Sequence, residues 1–255
     1  MRKLESDFLR MWLTEHRHLP NTPPNVSVYY ERANTREAVW NALCLAVADH
    51  FYDLSLIQKI EKLGEYPKAF ARIRQLLPRT ERIRSGDLAE IFASEYVDQF
   101  TDYTVPVRKL RYKDDREMAM RGDDVIAIRS LAQPPPQVLK GEAKSRQALT
   151  PAVVQEACDA LDRHQGRPNP STIAFIALRL DEKNEDTLAA IFHRMQEETP
   201  SSRNIKHLVF TLSANDPLHA LSGQSAIGPS EIARQMVGVM VTDHQDFIRQ
   251  IYESI

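Results

Sequence analysis

Two short apolar runs that each adjoin acidic residues constrain the fold of this chain most strongly. Residues 118–129 read M-A-M-R-G-D-D-V-I-A-I-R, and residues 137–146 read Q-V-L-K-G-E-A-K-S-R, with the prolines of residues 134–136 between them. Apolar runs of this length, bounded by glycine and proline, are typical of β-strands. The sequence therefore predicts two neighbouring strands that bring acidic side chains and a lysine together in one sheet.

The alternation of side chains along the second predicted strand places Lys140, Glu142 and Lys144 on one face. If the two strands pair, Asp123 or Asp124 of the first lies beside Glu142. Mg²⁺ prefers hard oxygen ligands, usually one or two carboxylates, with water and substrate phosphate in the remaining positions. A nearby lysine can orient or help to deprotonate a water molecule and can offset phosphate charge. These residues together predict a site that holds a divalent cation against a phosphodiester.

Two of the chain's 8 glycines adjoin this predicted site. Gly122 and Gly141 each lie within two residues of a proposed ligand, where a backbone without Cβ permits close approach. The alternative is that both are ordinary bulge or strand-end glycines. A second triplet of the same form, D-E-K at residues 181–183, follows the apolar run of residues 171–180. Since a helical pattern precedes that run, no neighbouring strand supplies a second acid, and we interpret the triplet as a polar strand exit.

The periodicity of the whole chain predicts an α/β protein. Residues before 100 show helical spacing, including short helices at residues 54–63 and 67–77, and S-G-D at residues 85–87 is expected to open a strong helix. Strands are expected at residues 103–113, 118–129, 137–144, 171–180 and 205–213. Helices are expected at residues 151–163 and 185–197, a loop at residues 214–229, and helical patterns from there to residue 255. This order predicts a mixed central sheet flanked by helices, with a helical N-terminal region.

The composition fits one large domain of a globular protein. The chain has 255 residues, of which 42% are hydrophobic and 27% charged. Cys44 and Cys158 lie in helical-looking apolar patterns and are expected to be reduced core residues. The charged N-terminal residues lack the apolar segment of a secretory signal, and no window has the length of a membrane span. We therefore expect the protein in the cytoplasm, without a membrane partner.

The charge of the chain argues against a nucleic-acid-binding role for the whole surface, since the formal net charge is −2. Steering depends on how charge is distributed as well as on its sum. Basic residues crowd residues 72–84 and residues 108–121, which favours local contact with phosphate. The alternative is that both segments are solvated helix or strand faces.

Other chemistries match the sequence poorly. The 8 histidines include no H-E-x-x-H or paired metal spacing. The chain has no G-x-x-x-x-G-K-[ST], so it is not expected to hydrolyse ATP itself. It has no G-x-S-x-G, and its cysteines are placed as core residues, which argues against a serine or thiol nucleophile.

The order of the motifs resembles the PD-(D/E)xK nuclease superfamily. That order is Glu90 on a helix, G-x-D at residues 122–124, E-x-K at residues 142–144, and then a helix. More narrowly, R-S-G-D-L-A-E at residues 84–90, followed by R-G-D-D and L-K-G-E-A-K-S, resembles the HamA family. Members of that family are the nuclease subunits of the bacterial Hachiman anti-phage system. The motifs that carry the resemblance lie within residues 84–163.

The resemblance implies a restriction-endonuclease-like nuclease core over residues 81–213. A helical N-terminal region, residues 1–80, would pack on this core, and a C-terminal loop and helices, residues 214–255, would follow it. The three segments are expected to form one domain.

The resemblance also implies a role for each site residue. Asp124 and Glu142 would ligate Mg²⁺ together with the main-chain carbonyl of Ala143, and Mn²⁺ is expected to substitute. Lys144 would position or activate the attacking water. Glu90 would reach in from its helix to hold water bound to the metal. The G-x-D pattern selects Asp124 over Asp123, although a bulge at Gly122 could reverse that choice.

Three further residues have competing interpretations. With Asp87 as the helix N-cap, Glu90 would stand at the reciprocal position of a capping box and would serve helix stability alone. Gln155, on the helix after the E-x-K motif, lies where many relatives keep a polar residue facing the site, but the favoured interpretation is a glutamine on the helix surface. Lys140 could contact DNA or could be a strand-entry lysine at the rim of the sheet.

The resemblance implies two partners for the protein. One is DNA, cleaved with little sequence specificity. The other is a superfamily-2 helicase resembling HamB, expected in a 1:1 heterodimer, which would restrain the nuclease and release it on aberrant DNA. Two alternatives remain at this point: a non-catalytic adaptor that docks a helicase on DNA, and a nuclease of a restriction or mobile-element system.

Overall fold

A single mixed sheet forms the centre of the protein. The computed structural model describes residues 7–15, 22–55, 74–129 and 136–255. Within these ranges six strands lie in the order β1-β2-β6-β5-β4-β3. They are β1 (Leu13–Glu15), β2 (Val26–Glu31), β3 (Val125–Arg129), β4 (Gln137–Arg146), β5 (Ile205–Ser213) and β6 (Arg234–Met240). Strands β2, β6, β5 and β4 are parallel, and β1 and β3 pair antiparallel at the two edges. The predicted α/β class with a mixed sheet is confirmed.

Helices cover both faces of this sheet. They are α1 (Phe8–Trp12), α2 (Arg36–Phe51), α3 (Glu81–Phe100), α4 (Pro151–Asp162), α5 (Pro170–Asp181), α6 (Asp186–Glu197), α7 (Leu218–Ser222) and α8 (His244–Ser254). The core on one face joins α1, α2, α3 and α8 to the strands. On the other face α4 and α7 pack over β2, β5 and β6, and α5 and α6 pack over β3 and β4.

The central strand β5 shows why the sheet needs helices on both faces. Leu208, Phe210 and Leu212 belong to the core that contains α3, and Val209 belongs to the core that contains α4. All four are at most 1% exposed. Burial of each such side chain stabilises the fold by about 1.5–3 kcal/mol. A strand that is apolar on both faces is typical of the interior of a parallel sheet.

Several predicted elements are confirmed. The strands predicted at residues 137–144 and 205–213 are β4 and β5, and the apolar end of residues 118–129 is β3. The helices predicted at residues 151–163 and 185–197 are α4 and α6. Both cysteines are buried and free.

The prediction of a strand at residues 171–180 is wrong, because this segment is helix α5. Asn169 accepts a hydrogen bond from the N–H of Ser171, and Pro170 occupies the first helical turn. An N-cap followed by proline is a helix-start signal, and it outweighs the short apolar run, which by itself suits a strand or a buried helix. The D-E-K triplet therefore lies at the end of a helix and is not a strand exit.

The prediction of a strand at residues 103–113 is also wrong. This segment contains one isolated bridge, between Thr104 and Ile128, and a 3₁₀ helix, Lys109–Tyr112. The next backbone donor on the side facing β3 would come from Pro106, which has no N–H. The ladder therefore cannot extend beyond its first bridge.

The predicted helical N-terminal region is wrong in part, because residues 13–15 and 26–31 are strands β1 and β2. The helical pattern expected after residue 229 is interrupted by β6, and the loop expected at residues 214–229 contains α7. The sheet thus takes strands from all three predicted segments of the chain. The helices predicted at residues 54–63 and 67–77 fall almost wholly outside the described residues.

Candidate active site

The antiparallel pairing of β3 with β4 brings the two sequence motifs together. Val125 at the start of β3 pairs with Gly141, so Asp124 lies beside the next residues of β4. The N–H of Ala143 donates a hydrogen bond of 2.9 Å to Oδ2 of Asp124. A Cβ on Gly141 would lie 3.0 Å from Cβ of Val125, which shows the close approach that this glycine permits. The prediction that the strands pair and place an aspartate beside Glu142 is confirmed.

Glu142 and Lys144 project from the same face of β4, as the alternation predicted. Nζ of Lys144 donates to Oε1 of Glu142 over 2.5 Å. The side chain of Glu142 is 14% exposed and that of Lys144 is 20% exposed. The pair is therefore largely buried but still reachable from solvent.

Asp123 has a different environment from Asp124. It is buried, its N–H donates to Oγ1 of Thr172, and its Oδ2 accepts from the N–H of Asn169 over 2.7 Å. Its Oδ1 lies 3.5 Å from Nζ of Lys140. Asp123 thus fixes the turn before β3 to the start of α5. Of the two aspartates, Asp124 is the one whose carboxylate accepts a hydrogen bond from the backbone of β4.

Gly122 makes that turn possible. Its φ is +95°, a conformation that side chains disfavour, and a Cβ would lie 2.2 Å from Oγ1 of Thr172. The predicted close approach at Gly122 is therefore present, and it serves the turn that aims Asp123 and Asp124 in different directions.

Glu90 reaches the site from helix α3. The helix begins at Glu81, with Asp87 buried inside it and paired with Lys113. The predicted helix start at residues 85–87, and with it the capping-box interpretation of Glu90, is therefore wrong. Glu90 lines a small cavity together with Lys109, Asp124 and Thr172. Within the described residues its Oε2 is buried and accepts no hydrogen bond, and the nearest cation is Nζ of Lys109 at 3.7 Å.

Two acids of the site, Glu90 and Glu142, are held in an environment that favours their protonated forms. Burial and then the charge of Asp124 raise the pKa of Glu90 well above its ordinary value, although Lys109 opposes the shift. Burial and Asp124 also raise the pKa of Glu142, against the opposing effect of Lys144. Glu90 and Glu142 are thus both electrostatically coupled to Asp124. Acids perturbed in this way are concentrated at functional sites.

The charges in and around the site do not balance. Four carboxylates face three ammonium groups, which leaves one negative charge in excess when all are ionised. The carboxylates are Glu90, Asp123, Asp124 and Glu142, and the ammonium groups are Lys109, Lys140 and Lys144. An excess negative charge in a partly buried cluster favours the binding of a cation.

The donor set is one that suits a hard divalent cation. Asp124 and Glu142 offer carboxylate oxygens, and the carbonyl of Ala143 points toward the same strand edge as its N–H, which reaches Asp124. Mg²⁺ is usually held by one or two carboxylates together with water. Over the described ranges, no three His, Cys, Asp or Glu side chains form a group able to hold a metal ion by themselves. The residues present therefore fit a cation that keeps part of its water shell.

The basic segment at residues 108–121 contributes less free charge than the sequence suggested. Arg108 pairs with Glu95 and Asp98, and Arg111 pairs with Asp49. Nζ of Lys109 donates to the carbonyl of Asp123, and Lys113 pairs with Asp87. The interpretation of this segment as a phosphate-binding surface is wrong for these four residues, because internal carboxylates and carbonyls engage them.

The structure decides between the competing interpretations of Lys140 and Gln155. Lys140 is 2% exposed, and its Nζ donates to the carbonyls of Leu161, Arg163 and Arg167, so it is not placed to contact DNA. Gln155 lies exposed on α4 and donates to Oδ1 of Asp159 over 2.7 Å. Gln155 is therefore an ordinary residue of the helix surface.

Nothing in the sequence marked Lys109 or Thr172 as a neighbour of the site, and Lys140 was predicted to be a DNA contact or a strand-entry lysine. Lys109 was hidden in a run of basic residues, and Thr172 in a segment mistaken for a strand. The alternation along β4 did place Lys140 on the face of Glu142. A lysine on the buried face of a central strand is a signal of an internal partner, since lysine is rarely buried unless paired.

Fold and site together describe an α/β protein with a carboxylate and lysine site at the start of its edge strand β3. The model of the HamA family matches residues 6–255, and the chain belongs to this family. A relative described as "Hachiman protein HamA", from Bacillus cereus, is 29% identical over 217 residues, which cover 82% of this chain and 77% of the relative. The family resemblance seen in the motifs is therefore confirmed. None of the helices in the described part of the chain is both long and apolar enough to span a membrane.

Proposed function

We propose that this protein is a divalent-metal-dependent deoxyribonuclease with a PD-(D/E)xK core. The observation that carries the proposal is the convergence of Glu90, Asp124, Glu142 and Lys144 from α3, the turn before β3, and β4. Asp124, Glu142 and Lys144 lie on the paired segments around β3 and β4, and Glu90 joins them from the separate helix α3. Their order and types fit the superfamily pattern.

Each residue has a role that its contacts support. Asp124, Glu142 and the carbonyl of Ala143 would hold Mg²⁺, or Mn²⁺ in its place. The cation, when bound, would neutralise charge on the phosphate oxygens. Nζ of Lys144, which donates to Glu142 in this structure, would donate to the attacking water or the phosphate. The unpartnered Oε2 of Glu90 would accept a hydrogen bond from a water in the cavity.

The biological role that we propose is that of an effector in Hachiman anti-phage defence. The match to a Hachiman protein from Bacillus cereus supports this role. A helicase resembling HamB would restrain the nuclease in a 1:1 complex and release it on aberrant DNA. The internal pairing of Arg108, Arg111 and Lys113 is consistent with a partner that supplies much of the affinity for DNA. A nuclease without base readout also needs such restraint, because it would damage its host.

The first test is cleavage of plasmid DNA in Mg²⁺ or Mn²⁺ by the wild type, Glu142→Ala and Lys144→Ala. We expect cleavage by the wild type and its loss in both variants. Gln155→Ala, which changes an exposed residue of α4, is the matched control and should cleave like the wild type. If the wild type is inactive alone, the same assay with the partner helicase and ATP decides the question. Inactivity there as well would favour the non-catalytic adaptor.

The genomic neighbourhood separates the proposed defence role from the other nuclease settings. A helicase gene beside the coding sequence fits Hachiman defence, and its deletion should abolish protection against phage. A methyltransferase or transposase gene in that position would instead favour a restriction or mobile-element enzyme.

A further inference from the structure

Lys109 lies between Glu90 and the peptide group that precedes Asp124. Its Nζ donates a hydrogen bond of 2.6 Å to the carbonyl of Asp123 and lies 3.7 Å from Oε2 of Glu90. The side chain is 8% exposed. The ammonium group of Lys109 therefore lies close both to Glu90 on helix α3 and to the peptide group that leads into β3.

The backbone around Lys109 is well anchored. Lys109 begins the 3₁₀ helix Lys109–Tyr112. The neighbouring Leu110 is buried in the core that contains α3, and Val107 is buried in the core that contains α5. Because two cores fix the segment, the ammonium group is held in place by the fold and not only by its own contacts.

We propose that Lys109 is a positioning residue of the nuclease site, which fixes Glu90 relative to Asp124 and limits how tightly the site binds a divalent cation. This inference rests on the proposed function. The contact with the carbonyl of Asp123 orients the peptide group that leads into Asp124. The proximity to Oε2 of Glu90 gives a buried carboxylate oxygen its nearest counter-charge among the described residues.

Removal of the charge of Lys109 should strengthen cation binding and at the same time slow cleavage. In Lys109→Met the four carboxylates of the site face two ammonium groups instead of three. A cation should then bind tighter, by at least about tenfold, because an ammonium group no longer repels it across a partly buried site. Cleavage at saturating Mg²⁺ should fall by at least about tenfold, because Glu90 and Asp124 lose the group that holds them in register.

The chain offers a matched control in Lys113. This second buried lysine lies on the same segment, and its Nζ is 2.7 Å from Oδ2 of Asp87. Its hydrogen bonds are to Asp87 and the carbonyl of Arg116, and none reaches Asp123 or Glu90. Lys113→Met also leaves a buried carboxylate without its lysine, so it reproduces the general cost of such a change. We expect its Mg²⁺ affinity and cleavage to stay within about threefold of the wild type.

The experiment combines titration calorimetry with MgCl₂ in the absence of DNA and plasmid cleavage at saturating Mg²⁺. The proteins are the wild type, Lys109→Met, Lys109→Arg and Lys113→Met. Lys109→Arg keeps the charge and should keep a Mg²⁺ dissociation constant within about threefold of the wild type. In a Glu90→Gln background the effect of Lys109→Met on affinity should shrink, because coupled residues are not additive.

The inference is overturned if Lys109→Met and Lys113→Met behave alike, or if Lys109→Met weakens cation binding and cleavage together. Should Lys109→Met fail to fold, Lys109→Gln removes the charge but keeps a donor for the carbonyl of Asp123, and the same criteria apply to it. A wild type that binds Mg²⁺ without cleaving DNA would overturn the nuclease assignment, while the calorimetry would still decide the effect of Lys109 on affinity. A wild type that binds no Mg²⁺ would overturn both.

Discussion

Helix α3 carries two buried glutamates, Glu90 and Glu95, whose surroundings are opposite in character. Glu95 accepts from Gln99 over 3.0 Å and contacts His50 at 2.9 Å and Arg108 at 3.1 Å. Glu90 has a buried oxygen that accepts no hydrogen bond within the described residues. Both side chains are almost equally exposed, at 12% and 13%. The difference between them is therefore one of partners and not of depth.

The pKa values of the two glutamates follow this difference in partners. Burial raises the pKa of both carboxyls. At Glu95 the hydrogen bond from His50 and the charge of Arg108 outweigh burial and lower the pKa to about 2. At Glu90 burial is joined by the charge of Asp124, and Lys109 does not offset them, so the pKa is raised.

The comparison distinguishes a structural ion network from a site that has unused binding capacity. The network around Glu95 has satisfied its acid and gains stability from it. The site around Glu90 retains an unsatisfied oxygen and repelling acids, which cost stability unless a ligand relieves them. Functional sites are where natural sequences tolerate such conflicts.

The largest difference between the site around Glu90 and the ion network around Glu95 is expected in DNA cleavage. Asp124→Asn removes a proposed ligand carboxylate while keeping the shape of the side chain, and should lower plasmid cleavage by at least about 100-fold. Glu95→Gln should leave cleavage within about threefold of the wild type, because its contacts belong to the structural network. Equal losses in the two variants, measured at matched protein concentration and folded fraction, would remove the distinction.

The next effect is on stability, where the order of the two regions reverses. Glu95→Gln should lower the free energy of unfolding at pH 7 by about 3 kcal/mol, since it removes the charged partner of His50 and Arg108. Because the pKa of Glu95 is depressed in the folded state, its contribution is fully present above the ordinary value of 4.5 and is lost as the pH falls toward about 2. Urea unfolding of wild type and variant should therefore converge between these pH values. A constant gap down to pH 2 would contradict the assignment.

A divalent cation should stabilise the protein through the site. A ligand that binds only the folded state at 100 times its dissociation constant adds about 2.7 kcal/mol. For a chain of this size, 1 kcal/mol corresponds to a rise in Tm of about 2–4 °C, so Mg²⁺ at that excess should raise the Tm by roughly 5–10 °C. The shift should disappear in Asp124→Ala and persist in Glu95→Gln. A shift that survives Asp124→Ala would place the cation elsewhere.

The sequence predicted the centre of the site because the pattern that defines it is local. The alternation along β4 alone requires Glu142 and Lys144 to share a face, and one antiparallel pairing brings Asp124 to them. The choice between Asp123 and Asp124 depended on a turn at Gly122 whose packing against Thr172 is a tertiary contact. The family pattern selected Asp124, and the contacts of Asp123 with Asn169 and Lys140 agree with that selection.

The sequence failed where a tertiary partner decides the conformation. Residues 171–180 are apolar enough for a strand. The N-cap Asn169 and the following Pro170 favour a helix instead, and the segment is helical. The strand β6 contains Gly238, where a Cβ would lie 2.5 Å from the side chain of Pro217. Glycine lowers strand propensity, so a strand that needs it for close packing is concealed from pattern analysis. The burial of Lys109 depends on the path of an irregular segment. Hydrophobic periodicity does not predict such a path.

The smallest predicted effect is a gain in stability on substitution of Glu90. Its sign is opposite to that of the loss expected for Glu95→Gln. Glu90→Gln should raise the free energy of unfolding at pH 7 in EDTA by about 1–2 kcal/mol, because the neutral amide avoids the cost of either protonating or charging a buried carboxyl group. The pKa of Glu90 is raised in the folded state, so the folded wild type binds more protons than the unfolded chain and loses stability as the pH rises above the ordinary value of 4.5. The advantage of the variant should therefore grow from pH 5 to pH 8, opposite in sign to Glu95→Gln. Chemical unfolding at several pH values measures this trend, and a variant that is destabilised at every pH would mean that the Glu90 carboxylate is satisfied by a partner after all.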